Sequence, residues 1–336
     1  MMQEITKKIM AGKAIEPCEI ETAADEMMSG QATSVQIAAL LTALHMRGET
    51  AEHLAAFASV LRKHAIPFRR PDGIVLDTCG TGGDNSGTFN ISTTAAFIAA
   101  GAGVRVAKHG NRSVTSKCGS ADVLAELNIN IDAETAVMER ALEEAGICFL
   151  FAQYYHSSMK HVATVRRELG FRTIFNLVGP LANPARASHQ LIGVCRADLP
   201  EIHAKALALL EVKRALIVHG CDGLDEITTT GATRIAELRN GRVDIIEIAP
   251  EDFGIRRAQL HDLAGGSPAE NAEIIMAILD GAGGPHTDVA IFNAGAAIHA
   301  AEMAATIGEG VEMARKAVST GAARDKLETL RRIAPR

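Results

Sequence analysis

The chain has 336 residues, 47% of them hydrophobic and 22% charged, with a formal net charge of -6. That length exceeds the size at which one core stops growing, so a larger domain with a smaller companion is expected, and the apolar content excludes a disordered chain. The acidic balance argues against a general nucleic-acid or membrane surface, because each needs a broad basic face.

The opening MMQEITKKIMAGKAIEP has no long apolar core, and AAFIAAGAGV (residues 95 to 104) is too short and glycine-broken to span a bilayer, which leads us to expect a cytoplasmic protein. Six scattered cysteines without a CxxC pair fit reduced thiols better than a disulfide framework or zinc site. Before residue 68 the pattern is helical. Ile37, Leu40, Leu41 and Leu44 follow i, i+3, i+4, i+7 spacing behind Thr33 and Gln36, a possible capping box. Gly48 ends that helix, a second runs from Thr50 to about His64, and IPFRRPDG breaks the pattern at a domain border.

From Ile74 onward short β-branched runs alternate with helical ones: GIVLD, STTAAFIAAG, VRVAK, SADVLAEL, ETAVMERALEEAG, ICFLF, then HQLIGVC, PEIHAKALALL, RALIVHG and RVDIIEIAP. This alternation signals a mainly parallel central sheet flanked by helices. Helical segments such as NAEIIMAIL and EMARKAVSTGAARDKLETLRRI close the chain, and HVATVRRELG reads as a helix able to rejoin the N-terminal group.

Two polar loops follow strands in this pattern. DTCGTGGDNSGTFNIST places Gly80, Gly82, Gly83 and Gly87 between a strand over Ile74 to Leu76 and a helix with Ser92 or Thr93 near its start, where an open α/β sheet exposes ligand sites. It fits neither GxGxxG nor the Walker pattern, yet bare glycines let backbone N–H groups approach an anion. A helix dipole contributes only about 0.3–2 kcal/mol, so cations must help. The next loop, KHGNRSVTSKCGSADVL, brings Lys108, Arg112 and Lys117 and ends at a helix with Ser120 as its expected N-cap. Further on, DGLDE after the ALIVHG strand puts Asp225 and Glu226 at the same sheet edge, with Asp222 as an alternative carboxylate.

GTGGD, NIST, KHGNRSVTSKCGSADVL, RRELGFRTIFNLVGPLANP and DGLDE, in this order and over roughly residues 5 to 330, resemble the anthranilate phosphoribosyltransferases of tryptophan biosynthesis. Departures are small: Cys79 before the glycine loop, Cys118 where serine is common, and Ala182 where a bulkier or hydroxyl residue is usual. The resemblance implies a small N-terminal helical domain over residues 1–68, joined by helices from about 157–178, and a larger α/β domain over 72–156 and 179–336. It implies transfer of phosphoribose from 5-phosphoribosyl 1-pyrophosphate (PRPP) to the amine of anthranilate, releasing pyrophosphate. This is the second step from chorismate to tryptophan.

Carried over by motif, the PRPP positions are Gly80, Gly83, Asp84, Thr88, Asn90, Ile91, Ser92, Thr93, Lys108, His109, Gly110, Asn111, Arg112, Ser113, Val114, Thr115, Ser116 and Ser120. Those for anthranilate are Gly80, Asn111 and Arg166, with His156 and Pro180 as pocket walls; those for one or two Mg2+ ions are Ser92, Asp225 and Glu226. Hard oxygen ligands suit magnesium. His109 is a possible but unassigned general base, since an aniline is already neutral and nucleophilic near neutral pH. The family's usual homodimer through the helical domain is also implied. A pyrimidine nucleoside phosphorylase would share the architecture, but KHGNRS and DGLDE favour the transferase; a nucleic-acid binder would need basic enrichment, against 34 basic and 40 acidic residues.

Overall fold

The computed structural model describes residues 1–113 and 117–336. Four helices open the chain: α1 (Met2–Met10), α2 (Pro17–Met28), α3 (Ser34–Arg47) and α4 (Ala51–His64). The capping box expected at α3 is present, with Thr33 Oγ1 accepting from Gln36 N and Gln36 reaching back to the Thr33 backbone; Gly48 is the C-cap. Thr50 caps α4 in the same way through His53. Leu40, Leu41 and Leu44 of α3 are buried against the other helices. The helix Lys160–Leu169 packs on α2 and α3, with Val162 and Val165 entering the same core.

The rest of the chain builds a seven-stranded sheet in the order β3-β2-β1-β4-β5-β6-β7. Its strands are β1 (Leu76–Gly80), β2 (Val106–Gly110), β3 (Ile147–Phe151), β4 (His189–Gly193), β5 (Arg214–Gly220), β6 (Thr233–Arg239) and β7 (Arg242–Ile248). β1 to β5 pair in parallel, and β6 and β7 add an antiparallel ribbon at one edge. Side chains alternate between the two faces with period two. On β5, Leu216 and Val218 join the core around α5 (Ile91–Gly101) and the helix Pro285–Ala300, whereas Ala215 and Ile217 join the core shared with α4 and the helical bundle. The helical part therefore has no isolated core; its apolar surface continues onto one face of the sheet.

Four elements differ from the sequence expectation. β1 begins at Leu76 rather than Ile74 and runs through Asp77, Thr78 and Cys79 to Gly80. Asp and Gly are depleted in strands, so DTCG reads as loop; here Asp77 Oδ1 accepts from His109 N at 3.0 Å and Lys108 Nζ donates to Thr78 O, which ties this polar stretch to the neighbouring strand. β6 has no counterpart in the sequence expectation, and neither has the helix Pro285–Ala300. That helix is buried on every face, so its apolar residues show no amphipathic stripe. The terminal helical run is two helices, Ile307–Ser319 and Ala322–Ile333, broken at Gly321.

Candidate active site

Parallel strands deliver their C-terminal ends to one edge of the sheet, and the loops that leave it there include residues 81–90 after β1, 111–113 and 117–119 after β2, and 221–232 after β5. Among the described residues, the contacts between these loops define the site. Gly82 N donates to Asp225 Oδ2 at 2.7 Å, and Ser92 N at the start of α5 donates to Glu226 Oε1 at 3.1 Å. The DGLDE loop thus reaches across β4 to grip both ends of the glycine loop.

Two glycines make that crossing possible. A Cβ on Gly193, the last residue of β4, would stand 1.6 Å from Asp225 O; one on Gly80 would stand 2.7 Å from Asp225 Oδ2. Asp222, the alternative carboxylate, accepts from Leu224 N, Thr228 Oγ1 and Thr230 Oγ1 within its own loop. It is a loop brace, and Asp225 and Glu226 are the pair that faces the glycines.

Asp225 and Glu226 keep a solvent-facing edge but are packed closely enough that desolvation raises both. Asp225 is pushed up to about 7, with the nearby charge of Asp84 adding to the effect; Glu226 is pushed up to about 8, with Asp225 adding and Lys108 opposing. Two crowded carboxylates held above their ordinary range are a site that a divalent cation stabilises. Among the described residues no three His, Cys, Asp or Glu side chains form a cage. Magnesium fits such a partial site, since it keeps water and takes oxygen ligands from substrate phosphates. Ser92 Oγ lies beside this pair, accepting from Lys108 Nζ at 3.3 Å. Lys108 is buried, its ammonium lowered by desolvation while Asp77 pulls the other way.

The second loop is tied to the first through Asn90. Its Nδ2 donates to Cys118 O at 3.2 Å, and its Oδ1 accepts from Cys118 Sγ and from Asn271 Nδ2, at 3.3 and 2.9 Å. Ser120 is the first residue of α6 (Ser120–Glu126), and the N-cap is Gly119 instead. The reason is Asp122, whose carboxylate accepts from Gly119 N and Ser113 N at 3.0 and 3.1 Å, leaving Ser120 Oγ to donate to Asn111 O at 3.3 Å. Arg112 pairs with the same Asp122 at 2.9 Å and lies over the Phe151 ring. Asn111 Oδ1 accepts from Gln153 Nε2 at 3.3 Å. Gly110 closes against Ser120, and Asp84 and Thr88 line the glycine loop half-buried. Ile91 and Thr93 belong to the core beneath it: both side chains are buried, and the Thr93 hydroxyl has no hydrogen-bond partner among the described residues. Val114, Thr115 and Ser116 lie outside the described residues.

His109 and His156 sit together behind these loops, ring centroids 5.2 Å apart and both buried. Desolvation pushes His156 down to about 4 and His109 well below its ordinary value, so both are neutral. A histidine so depressed is a weak base. Pro180 is buried next to them, its carbonyl accepting from Gln190 Nε2 at 3.0 Å. Arg166 is half-buried on the helix Lys160–Leu169, with its guanidinium 5.3 Å from the Phe175 ring centroid, and desolvation lowers it. Among the described residues no carboxylate pairs with it.

Three contributors lie outside the expected set. Arg172 Nη2 donates to Gly82 O at 3.2 Å, and a Cβ on Gly83 would stand 1.6 Å from Arg172 Nη1. Asn271 anchors Asn90, and Asn293 clasps the residue after Glu226 by accepting from Ile227 N and donating to Ile227 O, at 2.9 and 2.8 Å. Arg172 stands inside the RRELGFRTIFN stretch, a signal that sequence could have used; the two asparagines lie on unrelated helices and carry none.

A helical bundle joined to an α/β sheet, with a glycine loop, a buried lysine and paired carboxylates at one sheet edge, defines a glycosyltransferase that handles a phosphorylated donor. Two family profiles agree: residues 3–65 match the glycosyl transferase helical bundle domain, and residues 72–324 match the glycosyl transferase a/b domain. The chain is 49% identical to the anthranilate phosphoribosyltransferase of Thermomicrobium roseum, covering 98% of this chain and 96% of that one. The crystal structure of the Thermus thermophilus enzyme superimposes with a TM-score of 0.92 at 41% identity, over 97% of this chain and 99% of that one. The Saccharomyces cerevisiae enzyme is similar too. In complex with PRPP and Mg it gives a TM-score of 0.90 at 28% identity, over 98% and 96% of the two chains; with 4-fluoroanthranilate it gives 0.89 at 26%, over 99% and 97%. The chain belongs to the anthranilate phosphoribosyltransferase family, and is a pentosyltransferase by that membership.

Proposed function

We propose that this chain transfers the phosphoribosyl group of PRPP to the amine of anthranilate, giving N-(5-phosphoribosyl)anthranilate and pyrophosphate. The observation that carries this reading is the grip of Asp225 and Glu226 on the two ends of the glycine loop, at 2.7 and 3.1 Å, because it gathers phosphate donors, hydroxyls and metal-binding oxygens around one point.

The glycine loop, Ser92, Lys108 and the 108–120 loop hold the phosphates and ribose. Ser92, Asp225 and Glu226 would hold one or two magnesium ions, whose chemistry there would be neutralisation of charge on the pyrophosphate. Lys108 keeps a fixed positive charge beside that group. Arg166 takes the anthranilate carboxylate as a planar pair of donors, with Asn111 beside the acceptor and His156 and Pro180 as walls. Charge builds on the pyrophosphate bridging oxygen as the anomeric carbon becomes oxocarbenium-like, and the neutral amine attacks in line. Orientation and electrostatic stabilisation carry the rate. No covalent enzyme intermediate and no essential general base are needed, in keeping with the depressed, neutral His109.

We assign residues 1–68, with 157–178, to the helical unit and 72–156 with 179–336 to the donor-binding unit. The exposed Met10, Val35 and Met46 support a homodimer through the helical face. Six scattered cysteines without a CxxC pair support a cytoplasmic location; no helix among the described residues is long and apolar enough to cross a membrane.

The test mixes purified protein with PRPP, anthranilate and magnesium and follows anthranilate fluorescence. It should decay with the wild type. With Asp225→Ala and Glu226→Ala combined, the rate should fall by at least about 100-fold, the scale of losing preorganised charge stabilisation. No decay at ample wild-type enzyme would overturn the reading.

A further inference from the structure

A cavity lies at the opposite edge of the sheet. It has a volume of about 390 Å3 and is lined by Ser59 and Arg62 of α4, Arg70, Arg186 and Ser188, and by Glu211 and Lys213. Ser188 and Lys213 immediately precede β4 and β5, so the cavity sits at the N-terminal ends of the strands whose C-terminal ends carry the active site. A five-residue strand separates the two by about 16 Å.

Four cations converge there in a chain whose net charge is -6. Among the described residues none of the four forms an ion pair, not even with Glu211. Arg62 is the most telling. Its Nε donates to Leu181 O at 2.7 Å, while its Nη2 is buried without a hydrogen-bond partner among the described residues. A buried donor left unpaired is destabilising, and more so for a charged group. Desolvation, with Arg186 repelling, pushes Arg62 down to about 10. The cavity volume falls within the range of small-molecule pockets, about 300–1,000 Å3.

We propose that this cavity binds the phosphate group of a small anionic molecule, held by Arg62, Arg70, Arg186 and Lys213. Arg70, Arg186 and Lys213 hold the phosphate directly, and the charge of the Arg62 guanidinium in the cavity wall adds to theirs. Free inorganic phosphate and the phosphate of an organic molecule share this chemistry. Nothing in the assignment depends on what the catalytic site binds.

Crystals of the full chain soaked in tungstate, an oxyanion mimic of phosphate with a strong anomalous signal, should show density in the cavity within hydrogen-bond distance of at least two of Arg70, Arg186 and Lys213. In solution, calorimetric titration of inorganic phosphate and of adenosine monophosphate compares the wild type with a variant carrying Arg70→Glu and Arg186→Asn. Asn suits the left-handed backbone at position 186, where φ is 48°. The difference between the two proteins reports the cavity alone. Affinity should fall by at least about ten-fold, the loss of one charge-assisted hydrogen bond, while turnover at low phosphate stays within about two-fold. Lys213→Glu is the substitute if that variant does not fold, since Lys213 is exposed. Tighter binding of the nucleotide identifies an organic phosphate as the occupant; equal or weaker binding identifies free phosphate. Absence of tungstate from the cavity, or equal affinity in wild type and variant, overturns the proposal.

Discussion

Arg166 shows how far a single residue can be read. Its motif marks it as the anthranilate arginine by resemblance, while a lone arginine on a helix ordinarily forms a surface ion pair. In the fold it is half-buried, lies over Phe175 and has no carboxylate partner among the described residues, so its charge is held ready for a ligand. Arg166→Ala should raise the KM for anthranilate by about 10- to 100-fold, the equivalent of one charged hydrogen-bonded contact, and change the KM for PRPP far less. Steady-state kinetics with each substrate varied separately decide this; a larger effect on PRPP would remove Arg166 from the acceptor site. Asp225 and Glu226 were legible through their motif and their strand. Arg172 was not, although it lies in a quoted motif, because its use depends on where the chain folds back over Gly82 and Gly83.

The helices of the first 64 residues were legible because amphipathic spacing and caps are local signals, and Thr33 and Thr50 cap where the sequence places them. Other elements depended on partners far along the chain. β1 extends through DTCG in register with β4, and Lys108 and His109 on the other neighbouring strand bond to Thr78 O and Asp77 Oδ1. Gly193 was invisible as a functional position, an unremarked glycine at the end of HQLIG. Its lack of a side chain lets the Asp225 backbone pass over β4. Gly193→Ala should push the DGLDE loop off the glycine loop, costing about 1–3 kcal/mol of stability as overpacking and raising the magnesium concentration needed for half-maximal turnover. Thermal unfolding and a magnesium titration measure both effects. Unchanged magnesium dependence would mean the loop does not need this passage.

At the scale of the whole molecule, two polypeptide loops separated by more than a hundred residues share one buried electrostatic problem. Asp225 and Glu226 are pushed up to about 7 and about 8, above the ordinary carboxyl range near 4. In the metal-free protein the stability they contribute is fully present below their unfolded pKa values and is lost as pH rises through about 7 and 8. The melting temperature without magnesium should therefore fall from about pH 5 to 8 and level off above, and fall less steeply with magnesium present, while magnesium affinity rises over that window with release of protons. Calorimetry in buffers of different ionisation enthalpy counts those protons; magnesium affinity independent of pH would contradict the assignment. The sequence by itself determined the class of fold, the caps of α3 and α4, and the motifs that identify the family, because these rest on local periodicity and on residues contiguous in the chain. Only the tertiary structure decided that Asp222 braces its loop while Asp225 and Glu226 face the glycines. It alone showed that Asn90, Asn271 and Asn293 tie distant loops together, and that four cations without ion pairs meet at the far edge of the sheet. Those facts depend on which side chains meet across distant segments, and chain order does not record such distances.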